Sequence, residues 1–358
     1  MHSDLRLRLT AFGAAVLAGT VALAGQQFSV VAPAGFFPNL EVYLESLRVQ
    51  GGIPGMSVAV VQDGEVVWER GFGYQNVGAR IRATPDTPYI VGDVGQSLTA
   101  VLLLQCIEER RLSLDEPISR YGVTAPEPGV TLRMILSHTS TETFVYSPER
   151  FAQLSAVMEW CAPQPFEKSV AHRLLNRLAM RDSVPGTDLA SPDADIPEEL
   201  FDPADIDRYR RVVARMAVPY KVDGRKIERT EITPVHLSAS GGLVSTVRDL
   251  AKFEAAVDAA LLLRQETLDA AWQPLPGRDG LSGPAGLGWF VQSHRAGRIV
   301  WQFGLVPNAY SSLVLKLPDR HLTFILLANS DGLSAPFQLS AGDVTRSLFA
   351  TLFLRLAS

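Results

Sequence analysis

Segments that favour β-strands lie near both ends of this chain, and the residues between them favour helices. Residues 56–62 and 65–72 are rich in β-type side chains and flank an Asp63-Gly64 turn, which predicts a hairpin. One sheet built from the two ends of the chain, with a helical insertion, satisfies this order. The C-terminal part carries four further strand candidates joined by short links, at residues 286–293, 298–303, 311–317 and 322–328.

Helical patterns cover both flanks of the predicted sheet and the middle of the chain. Residues 94–110 place apolar side chains at helical intervals, and Ser245-Thr246 caps a helix that we expect to reach residue 263. The Pro-, Asp- and Arg-rich residues 181–229 are expected to be mainly loops. The other helix candidates lie at residues 37–50, 132–137, 150–161, 166–178, 204–216 and 341–356.

The first 24 residues have the three-part layout of a secretory signal peptide. Arg6 and Arg8 precede an uncharged apolar run that ends in Ala22-Leu23-Ala24, and no Cys follows it as in a lipoprotein. A membrane anchor is the alternative, but the run is shorter than the ~20 residues that a spanning helix needs. We therefore expect export to the periplasm or the medium, a mature chain of residues 25–358, and no stable membrane span after cleavage.

Composition and residue spacing exclude several classes of partner and cofactor. The net charge is −5, from 33 basic and 38 acidic residues, so there is no basic excess for binding nucleic acid. Two Cys and six His without metal-ligand spacing predict neither a metal nor another cofactor. Export would permit a disulfide between Cys106 and Cys161. Because both lie on predicted helices, we favour buried free thiols and leave the disulfide as the alternative.

The usual signatures of activated nucleophiles are missing from the sequence. It contains no G-x-S-x-G elbow, no H-E-x-x-H pair and no P-loop. A Ser-x-x-Lys pair is also absent, because none of the five Lys residues follows a Ser by three positions. Those residues are Lys168, Lys221, Lys226, Lys252 and Lys316.

Several short segments together resemble class C β-lactamases, DD-peptidases and the related family VIII serine esterases. The resemblance implies a mixed α/β fold of the α+β type, with a mainly antiparallel sheet flanked by helices and a helical subdomain. We expect the sheet part at residues 25–92 and 236–358, the helical part at 93–235, and a ligand cleft between them. The segments are 89–100 (YIVGDVGQSLTA), 136–140 (LSHTS), 178–180 (LAM), 241–253 (GGLVSTVRDLAKF), 286–289 (GLGW) and 327–329 (LAN).

The resemblance implies a catalytic pattern from which this chain departs. In the family, a Ser opens a helix and a Lys one turn later helps to deprotonate it. A Tyr in a Y-x-N triplet assists proton transfer, a K-T-G or H-x-G strand triplet lines the opposite wall, and backbone N–H groups hold the oxyanion. The matching positions hold Asp93 for the Ser, Gln96 for the Lys, Tyr146 and Pro148 in the Y-x-N triplet, and Gln302 and Gly304 in the strand triplet.

Asp93 and Gln96 fit a capping box in which Asp replaces the usual Ser or Thr. A carboxylate that accepts N–H bonds at a helix N-terminus is favoured in its ionised form, which is a poor general acid and a weak nucleophile. We therefore interpret Asp93 as a helix cap, with a catalytic carboxylate as the alternative. Ser97 lies about a turn further into the helix and lacks a base.

The other matching positions predict hydrogen bonding without charge. Tyr146, with no Lys beside it, should be a neutral phenol that donates a hydrogen bond, or else a partly buried core residue. Gln302 cannot carry the charge that grips a substrate carboxylate, and Pro148 removes the side-chain amide of the triplet. His138 is interpreted as a structural residue at a helix end.

Three functional hypotheses follow from these departures. The first is a pseudoenzyme that binds a peptidoglycan-type peptide, another cell-wall fragment or a small amide or ester without hydrolysing it. The second is a hydrolase of amides, esters or β-lactams with an altered mechanism that uses Asp93 or Tyr146. The third is an exported structural or partner-binding protein.

Overall fold

A computed structural model describes residues 35–125, 127–141, 143–191, 200–277 and 279–358. The predicted signal peptide lies outside these residues. In chain order, the strands are β1 Gly55–Gln62, β2 Glu65–Asn76, β3 Ile81–Arg82, β4 Tyr89–Ile90, β5 Val184–Pro185, β6 Tyr220–Asp223, β7 Lys226–Arg229, β8 Leu243–Ser245, β9 Phe290–His294, β10 Gly297–Val306, β11 Tyr310–Leu317 and β12 Leu322–Ala328.

The main sheet has seven strands in the order β3-β2-β1-β12-β11-β10-β9, and every neighbouring pair is antiparallel. The N-terminal and C-terminal strands meet where β1 pairs with β12, with Met56 opposite Ala328. The prediction of one mainly antiparallel sheet from both ends of the chain is confirmed. Strands β4, β8 and β5 form a smaller sheet, and β6 and β7 form a separate hairpin.

Ten α-helices occur in the described residues. Successive side chains of a strand point to opposite faces of the main sheet, so each strand contributes to an apolar layer on either face. On β12, Phe324 and Leu326 belong to the layer covered by the first and last helices, whereas Ile325 lies in the layer on the other face. The helices are α1 Phe36–Gln50, α2 Gly95–Glu108, α3 Leu132–Leu136, α4 Pro148–Ala152, α5 Leu154–Cys161, α6 Phe166–Val170, α7 Pro203–Val213, α8 Val247–Asp258, α9 Gln265–Ala271 and α10 Leu348–Leu356.

The described helices do not include a membrane span, since none combines sufficient length with sufficient hydrophobicity.

Helix α2 is enclosed by the rest of the protein, and all its residues from Gly95 to Cys106 are buried. Any polar side chain on this stretch of α2 must therefore find its hydrogen bonds inside the protein.

Several predicted element bounds are wrong. Helix α8 ends at Asp258 and does not reach residue 263, although Thr246 caps it as expected by accepting a bond from the Asp249 N–H. The helix predicted over 150–161 divides into α4 and α5 at Gln153, and α6 continues as a π-helical turn at Ala171–Asn176. The region expected to be loops contains the β6–β7 hairpin, whose Asp-Gly signal was overlooked.

The preference for free thiols is also wrong, because Cys106 and Cys161 form a disulfide. The two residues lie on α2 and α5, which pack against each other and bring the Cα atoms to 6.5 Å. That separation lies within the range that a disulfide requires. The bond therefore fixes the far end of α2, the helix whose first turn carries Gln96.

We expect the disulfide to contribute up to about 4 kcal/mol to the free energy of unfolding, since it closes a loop with a sequence separation of 55. Urea-induced unfolding of the oxidised and the reduced protein measures this contribution. The matched control is the Cys106→Ser, Cys161→Ser double variant, which should resemble the reduced protein and not respond to reductant. Equal unfolding midpoints for oxidised and reduced protein would contradict the prediction.

Candidate active-site cleft

The site is assembled where the start of α2 meets strand β10. Asp93 lies in a 3₁₀ turn, Gly92–Val94, that leads directly into α2, and Gln96 lies in the first turn of that helix. Gln302 and Gly304 lie on β10, which packs against the turn. Tyr146 comes from the loop before α4 and contacts Gln96. The sequence-predicted positions thus converge, except that Pro148 serves as the first residue of α4.

Two glycines allow the turn and the strand to approach closely. A Cβ atom on Gly304 would lie 2.0 Å from the carbonyl oxygen of Val91 and 2.3 Å from Ser312 Oγ. Gly92 has a φ of +56°, and a Cβ there would lie 2.8 Å from the Leu305 nitrogen. The strand glycine that the chain retains is therefore explained by packing, and it sets Asp93 against β10.

Gln96 is the hub of the hydrogen bonds at the site. Its amide nitrogen donates to the Tyr146 hydroxyl (3.3 Å) and to Ser240 Oγ (3.2 Å). Its amide oxygen accepts from Gln302 Nε2 and His138 Nε2, both at 3.2 Å. These four bonds use the full hydrogen-bonding capacity of a primary amide. Because Gln96 is fully buried, the network satisfies a side chain that water does not reach.

His138 is held as a neutral donor. Its Nδ1 accepts the Ser147 N–H at 3.2 Å, so Nε2 carries the proton and donates to Gln96. Burial lowers the pKa of His138 to about 3. The residue follows Ser137, the C-cap of α3, as a structural helix-end residue should. Its second role, joining that helix end to the site, was not anticipated.

The interpretation of Asp93 as a helix cap is wrong. Neither the 3₁₀ turn nor α2 has a side-chain cap, because the turn continues directly into the helix. The Asp93 carboxyl faces β10 and the loop before β8. It accepts bonds from Ser240 Oγ (3.0 Å), from the Tyr146 hydroxyl and from the Leu305 backbone N–H. Gln96 likewise makes the contacts described above and no capping-box bond.

The expectation of a readily ionised Asp93 is wrong as well. Burial is the largest influence on this carboxyl, and together with the negative charge of Glu149 it raises the pKa of Asp93 to about 7. The hydrogen bonds from Ser240, Tyr146 and Leu305 oppose the increase without cancelling it. Asp93 is consequently a carboxyl group that changes its charge near neutral pH.

Tyr146 behaves as a neutral phenol, as predicted. Burial, followed by the nearby Asp93 carboxyl, raises the pKa of Tyr146 well above its usual range. Its ring packs 5.2 Å from Phe303 and 5.5 Å from Phe290, measured between centroids, so it also belongs to the apolar layer. Asp93 and Tyr146 are partly exposed, whereas Gln302 is buried.

Ser240 is a site residue that the sequence reasoning missed. Its hydroxyl links Gln96 to Asp93, and the preceding residues of its loop reach α2 through a bond from Thr99 Oγ1 to the Ala239 carbonyl. The available signal was its position just before Gly241, in the glycine-rich segment that carried part of the resemblance. Ser97, the other hydroxyl near the helix start, is buried and donates to the Val94 carbonyl at 2.8 Å.

One potential metal-ligand group occurs among the described residues, and it lies outside this site. Cys106, Glu109 and Cys161 bring ligand atoms within 4.8 Å of one another. The disulfide occupies both sulfurs, so these residues do not form a thiolate metal centre.

The fold and the converging motif positions define a protein of the penicillin-binding-protein and β-lactamase class. The Beta-lactamase family matches residues 40–343, which is most of the chain. The chain therefore belongs to the Beta-lactamase family, and the resemblance inferred from the motifs is confirmed.

Curated relatives match over a limited segment. The human mitochondrial serine beta-lactamase-like protein LACTB is 35% identical over 104 residues, which are 27% of this chain and 19% of that protein. Protein flp of Staphylococcus aureus is 27% identical over 108 residues, 28% of this chain and 22% of that protein. The match thus spans about a fifth of the length of these relatives.

Solved structures share the fold over a longer range. The octameric penicillin-binding protein homologue from Pyrococcus abyssi has a TM-score of 0.67 at 22% identity, covering 86% of this chain and 76% of that one. The D-amino acid amidase from Ochrobactrum anthropi SV3, complexed with L-phenylalanine amide, has a TM-score of 0.68 at 19% identity, covering 90% and 98%. At these identities, the likeness establishes the fold.

The Asp93→Asn variant should gain stability relative to the wild-type protein as the pH rises. The raised pKa means that the folded state holds the Asp93 proton more tightly than the unfolded state does. Wild-type stability should therefore fall, relative to the Asn variant, between the ordinary value of 3.8 and about 7. Thermal unfolding of both proteins from pH 4 to pH 8 measures the difference.

The control for this experiment is Asp207→Asn, since the Asp207 side chain is 64% exposed on α7. It measures the background effect of removing an exposed carboxyl group, and the pH-dependent difference for Asp93→Asn should exceed it. A difference between Asp93→Asn and wild type that does not change from pH 4 to pH 8 would refute the raised pKa of Asp93.

Proposed function

We propose that this protein is an exported, ligand-binding member of the Beta-lactamase family that does not hydrolyse its ligand. The observation that carries the proposal is the state of Asp93, at the helix start where the family has its Ser. Its carboxyl accepts bonds from Ser240, Tyr146 and the Leu305 N–H. The polar groups at the position of the family nucleophile are therefore hydrogen-bonded to one another.

The chemistry of acyl transfer supports this proposal. A carboxylate is a much weaker nucleophile than the activated hydroxyl that the family uses, and the Gln96 amide cannot accept a proton as a Lys amine can. Backbone N–H groups such as that of Leu305 are the donors that stabilise an oxyanion, but here Asp93 itself receives the bond. The site therefore has no activated hydroxyl for the attack and no Lys amine for the proton transfer. The Leu305 N–H, which could stabilise an oxyanion, is bound to Asp93.

Two further observations support binding and export. The amidase that shares this fold is complexed with an amide, which is consistent with a small amide, ester or peptidoglycan-type peptide as ligand for this chain. The Cys106–Cys161 disulfide agrees with the oxidising compartments that export reaches. Together with the N-terminal pattern, it supports placement in the periplasm or the medium.

The raised pKa of Asp93 favours one other candidate function. A carboxyl group with a pKa of about 7 suits a general base at neutral pH, so Asp93 could activate a water molecule for hydrolysis with Tyr146 as a donor. This alternative requires measurable turnover of an ester, amide or β-lactam that Asp93→Ala abolishes. Screening a chromogenic β-lactam, short-chain esters and a D-Ala-D-Ala peptide separates the two functions.

The proposal predicts that the wild-type protein forms no covalent adduct with penicillin or with a fluorophosphonate probe. Intact-protein mass spectrometry measures this, with an active serine β-lactamase as the positive control for both reagents. Stoichiometric labelling of the wild-type protein on any side chain would overturn the proposal.

Asp93→Ser combined with Gln96→Lys should restore little acylation. An ammonium at position 96 would face the Nε2 donors of Gln302 and His138, which need an acceptor, so the Lys would be poorly accommodated. The single variant Asp93→Ser is the matched control, and the two should label equally poorly in the same assay. Efficient ester hydrolysis by the double variant would show that the rest of the site is still competent.

A further inference from the structure

We propose that the site around Asp93 binds a small ligand through a primary ammonium group carried on an aromatic or aliphatic body, with Asp93 as its counter-charge. This inference rests on the proposed function, since it describes the ligand of a site that binds without hydrolysis. It follows from the charges that surround Asp93 and from the side chains that line the partly exposed face of the site.

The described residues supply Asp93 with no positively charged partner. Among the described residues, Asp93 makes no ion pair, and the charged side chain with the largest effect on it is Glu149, an exposed carboxylate on α4. The nearby Arg150 is bound through both terminal nitrogens to the Glu127 carboxylate at 2.6 Å. His138 is neutral. Hydrogen bonds alone therefore compensate an ionised Asp93.

A ligand's own charge decides whether it fits this electrostatic environment. A cation placed at Asp93 would supply the missing counter-charge and would be attracted to Glu149 as well. A ligand carboxylate would meet two acidic side chains and no cation, because Gln302 offers only an amide where the family has a charged residue. The site thus selects against ligands that carry a carboxylate.

The wall beside Asp93 suits the body of such a ligand. Tyr146 is partly exposed and donates to Asp93, and its ring is backed by the buried rings of Phe290 and Phe303. Phe144 packs on Phe290 with ring centroids 6.0 Å apart. An ammonium group next to the Tyr146 ring gains a cation–π attraction, and an apolar body gains contact with the exposed parts of the Tyr146 and Phe144 rings.

Three ligands with the same phenylethyl body and different charge test this inference. We expect 2-phenylethylamine to bind the wild-type protein at pH 8 about tenfold or more tightly than 2-phenylethanol and 3-phenylpropionate, measured by NMR titration. Equal affinities, a preference for the carboxylate, or no binding of the amine would overturn the inference.

Variants connect the preference to the proposed counter-charge. Asp93→Asn should remove the preference for the amine, whereas Asp207→Asn on α7 should leave it unchanged. Because Glu149 is exposed, Glu149→Lys should fold and should weaken amine binding several-fold without affecting 2-phenylethanol. An amine preference that survives Asp93→Asn in a folded protein would contradict the assignment.

The two proposals fail in different experiments. Covalent labelling or turnover would refute the absence of hydrolysis and would leave the charge preference as measured. A missing charge preference would refute the ammonium assignment and would leave the unreactive site as proposed.

Discussion

The buried amide of Gln96 is the interaction on which the arrangement of the site depends. It joins four parts of the chain: Tyr146 in the loop before α4, His138 after α3, Ser240 before β8 and Gln302 on β10. Because Gln96 donates to the Tyr146 and Ser240 hydroxyl oxygens, both hydroxyl groups are free to donate their own protons. Both donate to the Asp93 carboxyl, which is the final acceptor of the network. A cation at the position of Gln96 would be incompatible with its two donor neighbours.

A buried charge elsewhere in the molecule, that of Lys316, is neutralised by carboxylates. Lys316 on β11 is almost fully buried, and its ammonium lies 2.6 Å from Glu254 and 2.7 Å from Asp258. Burying an ammonium is costly unless carboxylates compensate it, and α8 supplies both of them. Among the residues that the structure describes, Asp93 has hydrogen bonds but no comparable counter-charge, which distinguishes it from the closed Lys316 ion cluster.

Local patterns predicted the parts of the fold that depend on neighbouring residues. The first hairpin, the C-terminal strands and the Thr246 cap are determined by turn chemistry and alternation within a few residues. Asp93 was misread because Asp-x-x-Gln is the same local signal whether or not it forms a cap. Its true partner Ser240 lies 147 residues away, and Gln302 lies 206 residues from Gln96. Likewise, the disulfide depends on how α2 packs on α5. The proposed boundaries of the signal peptide and of the helical part stay predictions.

The central claim is that the position of the family nucleophile holds a carboxyl group that accepts hydrogen bonds from its neighbours and forms no ion pair with any described residue. A ¹³C NMR titration of the Asp93 side-chain carboxyl, assigned with the Asp93→Asn variant, tests this claim most directly. The account predicts a titration midpoint at about 7. A midpoint at or below the ordinary value of 3.8 would contradict it, because it would reveal a positive partner or a true helix cap at Asp93.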